Sequence, residues 1–397
     1  MSSTAFFNQF FWPDTAATGQ YLADVVTELS REQEQPAVIC GPAQYGAVDH
    51  SAPPRARILR AVQFPFSRGY LPRAVSYATF ISTACWHALR LRRTGVAITM
   101  TTPPLLSLTG NLMQAVHKTR HVIWEMDVYP DVAIELGVFP RDSRVSRTLS
   151  RVASWSRRRA DSIIVIGEEM KVRLVRQGIP AEKIHVCENW ADGKEITPRP
   201  FPDGALHVHY SGNLGLAHDI ATIREIMLAL RDDNRFRFTF AGGGSRRPAL
   251  ESFCKKHRIA NAAFTPYAAR ADLGMRLSEG HIGLVTQKSE TLGSVVPSKT
   301  YGIMAAGRPV LFIGPGDATP ARIVEEFQCG WHIEPGDGAG LRDLLQTLNS
   351  HRPLIYHAGA RARRAFEQNY DRRIGVARIC NVLAQSQQTH AEATRET

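Results

Sequence analysis

The sequence predicts an α/β protein of two parallel-sheet domains, and three observations support this prediction. First, 397 residues are too many for one ordinary hydrophobic core. Second, short β-type runs alternate with longer helical stretches almost throughout, which favours parallel sheets with helices on both faces. Third, a proline-rich patch at 197–202 (Thr-Pro-Arg-Pro-Phe-Pro) interrupts this alternation and is typical of a linker. We therefore expect two similar domains facing a central cleft, the usual place for a ligand.

The individual elements follow from the positions of the apolar runs. In the first half, the predicted strands are 4–10, 37–40, 97–100, 121–124 and 162–166, and a helix is predicted over 19–31. After the proline-rich patch, the predicted strands are 206–211, 236–241, 282–286 and 309–313, with a helix over 220–230. The last ten or so residues, rich in Gln, Thr, Glu and Ala, are predicted to fray.

Composition narrows the class of protein. Apolar residues make up 44% and charged residues 21%, a balance typical of globular chains rather than disordered or fibrous ones. The sequence has no run of the roughly 18 apolar residues that a membrane span needs. Its first twelve residues lack the basic region and cleavage site of a secretory signal. Six widely spaced cysteines exclude a local zinc knuckle or redox pair, so we expect a cytoplasmic location.

The formal net charge of +11 is concentrated in two segments of the first half. Residues 55–93 contain eight arginines and no acid, and residues 141–159 contain seven arginines and one aspartate. This excess predicts a cationic face for phosphates, an anionic membrane surface or a nucleic acid.

Aromatic residues are interleaved with the arginines of the first basic segment, a pattern that suits a membrane interface. These aromatics are Phe64, Phe66, Tyr70, Tyr77, Phe80 and Trp86. The alternative is that the aromatics are core residues and the arginines form a solvated helix face. No zinc-finger spacing or RNA-binding aromatic motif is present, so the sequence does not favour nucleic acid.

The strongest local signal is a loop that contains Ser298 and Lys299 and precedes a short predicted helix. That helix ends at Gly307 and is followed by a predicted buried strand. Free N–H groups at the helix start, the Ser298 hydroxyl and the Lys299 ammonium together suit a diphosphate. The alternative is an ordinary loop–helix–strand unit with an exposed lysine. Two glycine-rich turns, 211–215 and 241–245, also follow predicted strands. Such turns at the C-terminal rim of one sheet are typical of a nucleotide site.

Further motifs complete a recognisable pattern. They are Phe7-Asn8-Gln9-Phe10-Phe11-Trp12-Pro13-Asp14, Trp124-Glu125-Met126-Asp127-Val128-Tyr129-Pro130-Asp131, Glu188-Asn189-Trp190-Ala191-Asp192, Ser211-Gly212-Asn213-Leu214-Gly215 and Pro297-Ser298-Lys299. With these motifs the chain resembles the retaining glycosyltransferases of family 4, which have the GT-B fold of two Rossmann-like domains. Within that family it is similar to the bacterial surface-polysaccharide branch that includes fucosyl- and N-acetylfucosaminyltransferases.

The resemblance implies a division of labour between the domains. Domain 1–196 would bind the acceptor, domain 203–370 would bind the nucleotide-diphosphate sugar, and 371–397 would be a helix returning towards the first domain with a frayed tail. Gly19 would approach the diphosphate or donor sugar, and the Tyr267 ring would cover the base, which is uracil or guanine. The other expected donor contacts are Asn213, Gly243, Ser294, Val295 and Ser298.

The chain departs from the wider family at the charged positions of its donor site. Where the family has an Arg and a Lys five residues apart, this chain has Asn213 and His218, and where it has a Glu-x7-Glu pair, this chain has Ser294 and Gly302. Either the work has moved to Lys299, Ser298, His218 and loop amides, or the site is inactive. Lys299 and a protonated His218 would together offset the charge of a leaving diphosphate. We favour relocation, because the Pro-Ser-Lys loop resembles a feature of the branch and not random decay.

Three acids, Glu125, Asp127 and Asp131, follow a predicted buried strand of the first domain. A carboxylate there can orient or deprotonate an acceptor hydroxyl, or bind sugar hydroxyls. The resemblance favours Asp127, and the alternative is a helix N-cap by Asp127 or Asp131. No Asp-x-Asp diphosphate–metal motif occurs in a suitable loop, so we expect no metal and no cofactor. His117 and His121 are interpreted as structural.

The sequence therefore predicts a cytoplasmic glycosyltransferase associated peripherally with the inner face of the membrane. It would move a sugar from a UDP or GDP donor to a lipid-linked or saccharide acceptor in exopolysaccharide or O-antigen assembly, with retention. One alternative is a sugar-nucleotide epimerase of the same fold. The other is a non-catalytic scaffold of a polysaccharide-assembly complex.

Overall fold

The computed structural model describes residues 3–32, 35–43, 53–64, 70–267 and 272–395, and these fall into two units. The N-terminal unit comprises Met1–Glu188 and Val376–Thr397, and the C-terminal unit comprises Asn189–Gly375. Phe66 and Arg68 of the first basic segment lie outside the described residues. Both units are α/β structures built on a parallel sheet.

The N-terminal unit contains a seven-stranded parallel sheet of order β3-β2-β1-β4-β5-β6-β7. Its strands are β1 (Ser3–Phe7), β2 (Ala37–Cys40), β3 (Arg57–Arg60), β4 (Thr94–Met100), β5 (Arg120–Glu125), β6 (Ser162–Val165) and β7 (Ile184–Val186). Its helices are α1 (Ala17–Glu32), α2 (Tyr70–Arg90), α3 (Ser107–His117), α4 (Asp131–Glu135), α5 (Arg144–Arg159) and α6 (Glu168–Arg176). The strand order reverses between β1 and β4, which is the topological switch point of such a sheet.

The C-terminal unit contains a six-stranded parallel sheet of order β10-β9-β8-β11-β12-β13. Its strands are β8 (Leu206–Ser211), β9 (Phe236–Ala241), β10 (Ala262–Thr265), β11 (Ile282–Thr286), β12 (Val310–Ile313) and β13 (Gly330–Ile333). Its helices are α7 (Ala221–Ala229), α8 (Arg247–Lys256), α9 (Leu273–Leu277), α10 (Lys299–Ala305), α11 (Thr319–Phe327), α12 (Gly338–Ser350) and α13 (Pro353–Asn369). The switch point lies between β8 and β11.

The core of the C-terminal unit covers both faces of its sheet. Val310 and Phe312 of β12 belong to one buried cluster, while the alternate residues Leu311 and Ile313 belong to the other. Strand β12 is therefore apolar along its whole length, because both of its faces are buried. Each fully buried side chain of this size contributes about 1.5–3 kcal/mol through the hydrophobic effect.

The proline-rich patch is not the linker that its composition predicts. Arg308, whose side chain is buried, donates hydrogen bonds to the carbonyl oxygens of Arg199 (2.9 Å) and Pro200 (2.8 Å). Its guanidinium also lies 4.1 Å from the centre of the Phe201 ring. The patch is therefore bound within the C-terminal unit, and the unit begins at Asn189 rather than after residue 196.

The predicted frayed tail is helical as far as the structure describes it. Helix α14 (Arg372–Arg395) starts in the C-terminal unit, and its residues from Val376 onward belong to the N-terminal unit. Within the N-terminal unit, Gln387 donates a hydrogen bond to Thr4 (3.1 Å), and Arg378 forms an ion pair with Glu188 (2.9 Å). Across the described residues, no helix combines the length and apolar character needed to cross a membrane.

Candidate functional site

The two central candidates of the C-terminal unit lie on either side of its switch point. His218 lies in the loop after β8, and Lys299 lies in the segment after β11, so both are at the carboxyl edge where these two strands end. In open α/β sheets, ligands bind outside the carboxyl ends of the strands at this point. The topology therefore brings together two residues that are 81 positions apart in sequence.

Lys299 and His218 are in direct contact. The Lys299 Nζ atom lies 3.4 Å from Nε2 of His218 and 5.3 Å from the centre of the Tyr210 ring. Burial lowers the pKa of Lys299 to about 8, and burial together with the Lys299 charge lowers the pKa of His218 to about 3. At neutral pH this pair therefore carries one positive charge, which lies on Lys299.

Backbone contacts fix the loop on both sides of His218. The carbonyl oxygen of Ala217 accepts a hydrogen bond from the Lys288 N–H (2.8 Å), and that of Asp219 accepts one from the Thr286 hydroxyl (2.8 Å). Both donors follow or end β11. The strand that leads to Lys299 thus also holds the loop that carries His218.

Gly212 gives Lys299 the space that it occupies. Its φ is +135°, and a Cβ atom there would lie 2.4 Å from Cε of Lys299. The next glycine turn packs on the same point, since a Cβ on Gly242 would lie 2.2 Å from the carbonyl oxygen of Gly212. Any side chain at either position would strain the backbone and displace its neighbour. The two glycine turns therefore form one layer beside the lysine.

The residues expected around the Pro-Ser-Lys loop differ in their surroundings. Ser294 is fully buried, and its hydroxyl donates to the Thr291 carbonyl (3.1 Å). Val295 is half-buried, and its carbonyl accepts a hydrogen bond from the Gln287 side chain (3.1 Å). Ser298 is half-buried and immediately precedes α10, without a capping hydrogen bond from its side chain. Gln287, which the sequence analysis did not single out, thus pins the loop from the end of β11.

The expected donor contacts Asn213, Gly243 and Tyr267 follow β8, β9 and β10, and Tyr267 is the one expected at the base. Tyr267 is 60% exposed, and its ring lies against the glycine turn, where a Cβ on Gly243 would come within 3.1 Å of it. Asn213 is exposed, and its carbonyl oxygen accepts a hydrogen bond from the Tyr210 hydroxyl (2.8 Å). Their part in donor binding stays a prediction.

Arg247 is a second residue of this region that the sequence analysis did not single out. Its guanidinium donates to the carbonyl oxygens of Gly242 and Thr265, and so ties the glycine turn to the end of β10 two residues before Tyr267. Arg247 and Thr265 are 18 residues apart, and no local sequence pattern indicates a contact between them.

The three acids at and after the end of β5 in the N-terminal unit have different surroundings. Glu125 forms a buried ion pair with Arg157 (2.7 Å), and Asp131 accepts hydrogen bonds from Arg173 (3.2 Å) and Gln177 (2.6 Å). The N-cap of α4 is Pro130, without a side-chain capping bond, so neither Asp127 nor Asp131 is the cap. Asp131 is the first residue of the helix.

The surroundings of Asp127 change its acidity. It is half-buried, and burial, reinforced by the Glu125 charge, raises the pKa of its carboxyl to about 6. A carboxyl that titrates near neutral pH is suited to general acid–base work. Of the three acids, Asp127 therefore has the environment expected of a chemical role.

The remaining predictions for the N-terminal unit concern Gly19 and the two histidines. Gly19 lies in the first turn of α1, and a Cβ there would lie 3.2 Å from the Phe10 carbonyl. His121 is fully buried, with Nε2 2.8 Å from the Thr99 hydroxyl and Nδ1 3.2 Å from the Asn111 amide. His117 Nε2 lies 3.1 Å from the Leu89 carbonyl. These contacts match the structural interpretation of both histidines.

The basic segments place two tryptophan–arginine pairs at the ends of α2 and α5. Arg90 lies 3.5 Å above the Trp86 ring, and Arg159 lies 5.4 Å from the Trp155 ring. Both tryptophans are about half exposed. The contact of His117 with Leu89, and that of Gln114 with the Arg159 carbonyl (3.0 Å), join α3 to both helix ends.

We call this surface the tryptophan–arginine face. It consists of Trp86, Leu89, Arg90, Val116, Trp155, Arg158 and Arg159, all of which are exposed. Of the aromatics in the first basic segment, Phe80 is a core residue, whereas Phe64 and Trp86 are exposed. The interpretation of all these aromatics as core is therefore wrong for these two.

Comparison with known proteins agrees with this architecture. Residues 17–190 match the family model described as a glycosyl transferase 4-like domain. The probable glycosyltransferase WbjE of Pseudomonas aeruginosa is 26% identical over 300 residues, which cover 73% of this chain and 74% of WbjE. The putative colanic acid biosynthesis glycosyl transferase WcaI of Escherichia coli K12 is 24% identical over 326 residues, covering 74% of this chain and 79% of WcaI.

Solved structures share the fold over nearly the whole chain. Sucrose-phosphate synthase from Thermosynechococcus elongatus superposes with a TM-score of 0.77 at 14% identity, covering 97% of this chain and 99% of the synthase. HepE from Anabaena, in complex with UDP and glucose, gives a TM-score of 0.72 at 13% identity, covering 97% of this chain and all of HepE.

The two parallel sheets and the solved structures define a class of fold: the chain has the two-domain GT-B fold of glycosyltransferases. Within that class, residues 17–190 carry the glycosyl transferase 4-like domain.

Proposed function

We propose that the chain transfers a sugar from a nucleotide-diphosphate donor to a lipid-linked or saccharide acceptor during assembly of a bacterial surface polysaccharide. The observation that carries this proposal is the contact of Lys299 with His218 at the switch point of the C-terminal sheet. The name of WcaI, which refers to colanic acid biosynthesis, supports a polysaccharide product. The complex of HepE with UDP and glucose supports a nucleotide-sugar donor such as a UDP sugar.

In this proposal the C-terminal unit stabilises the departing diphosphate. The Lys299 ammonium carries the positive charge of the Lys299–His218 pair, and a bound diphosphate favours the protonated forms of both residues because an anion stabilises nearby cations. Charge that develops on the leaving phosphate is thus met by groups that are already in place. The missing carboxylate pair then reflects relocation of the donor contacts rather than an inactive site, and the reaction needs no metal or cofactor.

Transfer with retention follows if the acceptor hydroxyl attacks from the face that the diphosphate leaves. The enzyme would then position the reactants and stabilise charge, without a covalent intermediate. In the N-terminal unit, Asp127 would hold the acceptor hydroxyl or hydroxyls of the donor sugar. Its pKa of about 6 allows it to accept a proton near neutral pH.

We assign the tryptophan–arginine face to the surface of an anionic membrane. Arginines that lie beside exposed tryptophans combine attraction to lipid phosphates with an apolar contact at headgroup depth. A lipid-linked acceptor would be found at that surface, which fits a peripheral enzyme at the inner face of the cell membrane.

Thermal-shift measurements with UDP, GDP and dTDP test the donor site in the wild type, in Lys299→Ala and in the matched surface control Lys255→Ala. A nucleotide at about 100 times its Kd stabilises the folded chain by about 2.7 kcal/mol. We expect one nucleotide to raise the melting temperature of the wild type and the control, and to raise that of Lys299→Ala much less. If none raises it, or if the three proteins respond alike, the proposed donor site is wrong.

A further inference from the structure

Arg157 is a buried residue that forms hydrogen bonds on both sides of Asp127 in the chain. It lies on α5, and both its side chain and that of Glu125 are only 4% exposed. Its Nε atom donates to the Glu125 carboxylate (2.7 Å), and one terminal nitrogen donates to the Tyr129 carbonyl (2.7 Å). Glu125 precedes Asp127 by two residues, and Tyr129 follows it by two. One guanidinium therefore fixes both ends of a five-residue segment with Asp127 at its centre.

This arrangement is poorly explained by stability alone. Removing two charges from water costs several kcal/mol per ion, and an apolar pair of similar volume is often equally or more stable. The Tyr129 carbonyl adds a second requirement, because a planar group with donors in fixed directions holds a carboxylate and a carbonyl in one defined geometry. Lysine would keep the charge but has no such fork.

We propose that Arg157 is a positioning residue that holds the Asp127 carboxyl in place by binding the backbone and side chain on either side of it. This inference rests on the proposed role of Asp127. In the proposed mechanism Arg157 contacts no reacting atom, and it acts only through residues 125–129.

The ionisable groups around Asp127 come from three elements. Glu125 ends β5, the Tyr129 phenol follows Asp127 in the chain, and Tyr77 of α2 lies close enough to influence Tyr129. Arg157 of α5 faces Glu125. Changing Glu125 therefore alters the charge beside Asp127, whereas changing Arg157 to lysine keeps the charge and removes the fork.

This difference gives a matched pair of variants. Arg157→Lys keeps the charge and loses the geometry, whereas Glu125→Gln keeps a hydrogen-bond acceptor for Arg157 and removes the negative charge. The first readout is the titration of aspartate carboxyl carbons by NMR in 13C-labelled protein, with Asp127→Asn assigning the signal. The second is turnover of UDP-glucose, measured as kcat and KM across pH.

The two variants are expected to fail differently. Glu125→Gln should lower the midpoint of the Asp127 titration, because it removes the neighbouring negative charge, and should keep a single Asp127 signal because the fork of Arg157 remains. Arg157→Lys should keep the midpoint but broaden or split the Asp127 signal, and should lower kcat by about 10- to 100-fold with little change in KM. A double variant, Glu125→Leu with Arg157→Met, should fold stably and still show the loss of kcat.

The results separate this inference from the proposed function. Wild-type kcat and an unchanged Asp127 signal in Arg157→Lys would overturn the positioning role. Full activity in Asp127→Asn would instead refute the proposed role of Asp127, and the NMR signal of Arg157→Lys would then decide the positioning alone. Recovery of kcat in the apolar double variant would show that Arg157 serves only to neutralise Glu125.

Discussion

Nε2 of His218 lies 3.4 Å from Nζ of Lys299, while Nδ1 of the same ring lies 3.3 Å from the carbonyl oxygen of Gly215. These two contacts fit a single tautomer of neutral histidine. Nδ1–H donates to the Gly215 carbonyl, and Nε2 accepts from the lysine ammonium. The Lys299 ammonium therefore donates to a neutral histidine, and the net charge of the pair depends on the pKa of Lys299.

Binding of UDP should consequently weaken as the pH rises through 8. Burial lowers the pKa of Lys299 to about 8, so its ammonium is present below that pH and lost above it. With a single required proton, affinity should fall about tenfold between pH 7 and pH 9. Calorimetric titration with UDP and with uridine checks this, because uridine lacks the diphosphate and should show no such loss. Lys299→Arg keeps its charge throughout this range and should remove the dependence. Equal pH profiles for UDP and uridine would count against an anion site at Lys299.

Gly212→Ala should disturb the same site through packing. The new Cβ would lie 2.4 Å from Cε of Lys299 on a backbone with φ of +135°, so the lysine must move. Gly204→Ala is the matched control, since Gly204 also has a positive φ (+87°) but no atom within 4 Å of the added Cβ. Both variants should lose about 1–2 kcal/mol of stability from backbone strain. Only Gly212→Ala should weaken UDP binding, and a loss of the same size in both would indicate a general effect of strain.

The C-terminal unit should lose stability in mild acid. Burial, as the main cause, lowers the pKa of His207 to about 4, of His209 to about 3 and of His281 to about 4. An unfolded histidine binds its proton near pH 6.5, so the stabilising effect is complete above that pH and decreases as the pH falls towards 4. Each histidine contributes about 1.4 kcal/mol per pH unit to this decrease.

Denaturant unfolding between pH 7 and pH 5 measures the slope, and His209→Phe is the informative variant. Neither ring nitrogen of His209 has a hydrogen-bond partner among the described residues, and Nδ1 lies 3.9 Å from the Glu279 carboxylate. Phenylalanine should therefore be tolerated and should reduce the pH slope, whereas His357→Phe, at an exposed position, should leave it unchanged. A slope that is identical in His209→Phe would assign the acid sensitivity to other groups.

The inner strands could be predicted from the sequence, and the edge strands could not. Strands 37–40, 206–211, 236–241 and 282–286 are predicted with the bounds that the structure shows, because each carries apolar residues that are buried in the middle of a sheet. The four missed strands, β3, β7, β10 and β13, are the two edges of each sheet. Arg57–Arg60 has exposed arginines at both ends, and Ala262–Thr265 is half-buried throughout. An edge strand is specified by its neighbour more than by its own hydrophobicity.

The candidate site shows the same division between local and distant information. Glycine turns and the Pro-Ser-Lys loop are local patterns, and they led directly to Gly212 and Lys299. Arg157 and Arg247 bind backbone carbonyls 28 and 18 residues away, and Gln287 binds one eight residues away. A polar side chain that binds the backbone in this way has no distinguishing neighbours in sequence. The proline-rich patch was misread for a related reason, since its partner Arg308 lies more than 100 residues away.

Charge reversal should release the protein from anionic membranes if the tryptophan–arginine face binds them. Arg90, Arg158 and Arg159 changed together to glutamate should lower binding to liposomes that contain phosphatidylglycerol, most strongly at low salt, where screening is weakest. The same change at Lys255, Lys256 and Arg258, which are exposed in the C-terminal unit, alters the net charge equally and serves as the control. Cosedimentation measures both. Equal losses in the two variants would indicate a net-charge effect without a specific face.

Tyr267 offers a test of base recognition that is independent of the diphosphate. Its ring is 60% exposed and lies against the glycine turn at Gly243, so one face is supported and the ring can stack on a base. Tyr267→Ala should weaken uridine and UDP binding by the same free energy, about 1–3 kcal/mol, because the stacking contact is common to both ligands. Tyr267→Phe keeps the ring and should bind both ligands as the wild type does.

Lys299→Ala should show the opposite selectivity, weakening UDP binding by about 1.5–3 kcal/mol and leaving uridine binding unchanged. Since the two residues act on different parts of the ligand, their effects on UDP should add in the double variant. A loss that is confined to UDP in Tyr267→Ala would place this ring beside the phosphates and not beneath the base.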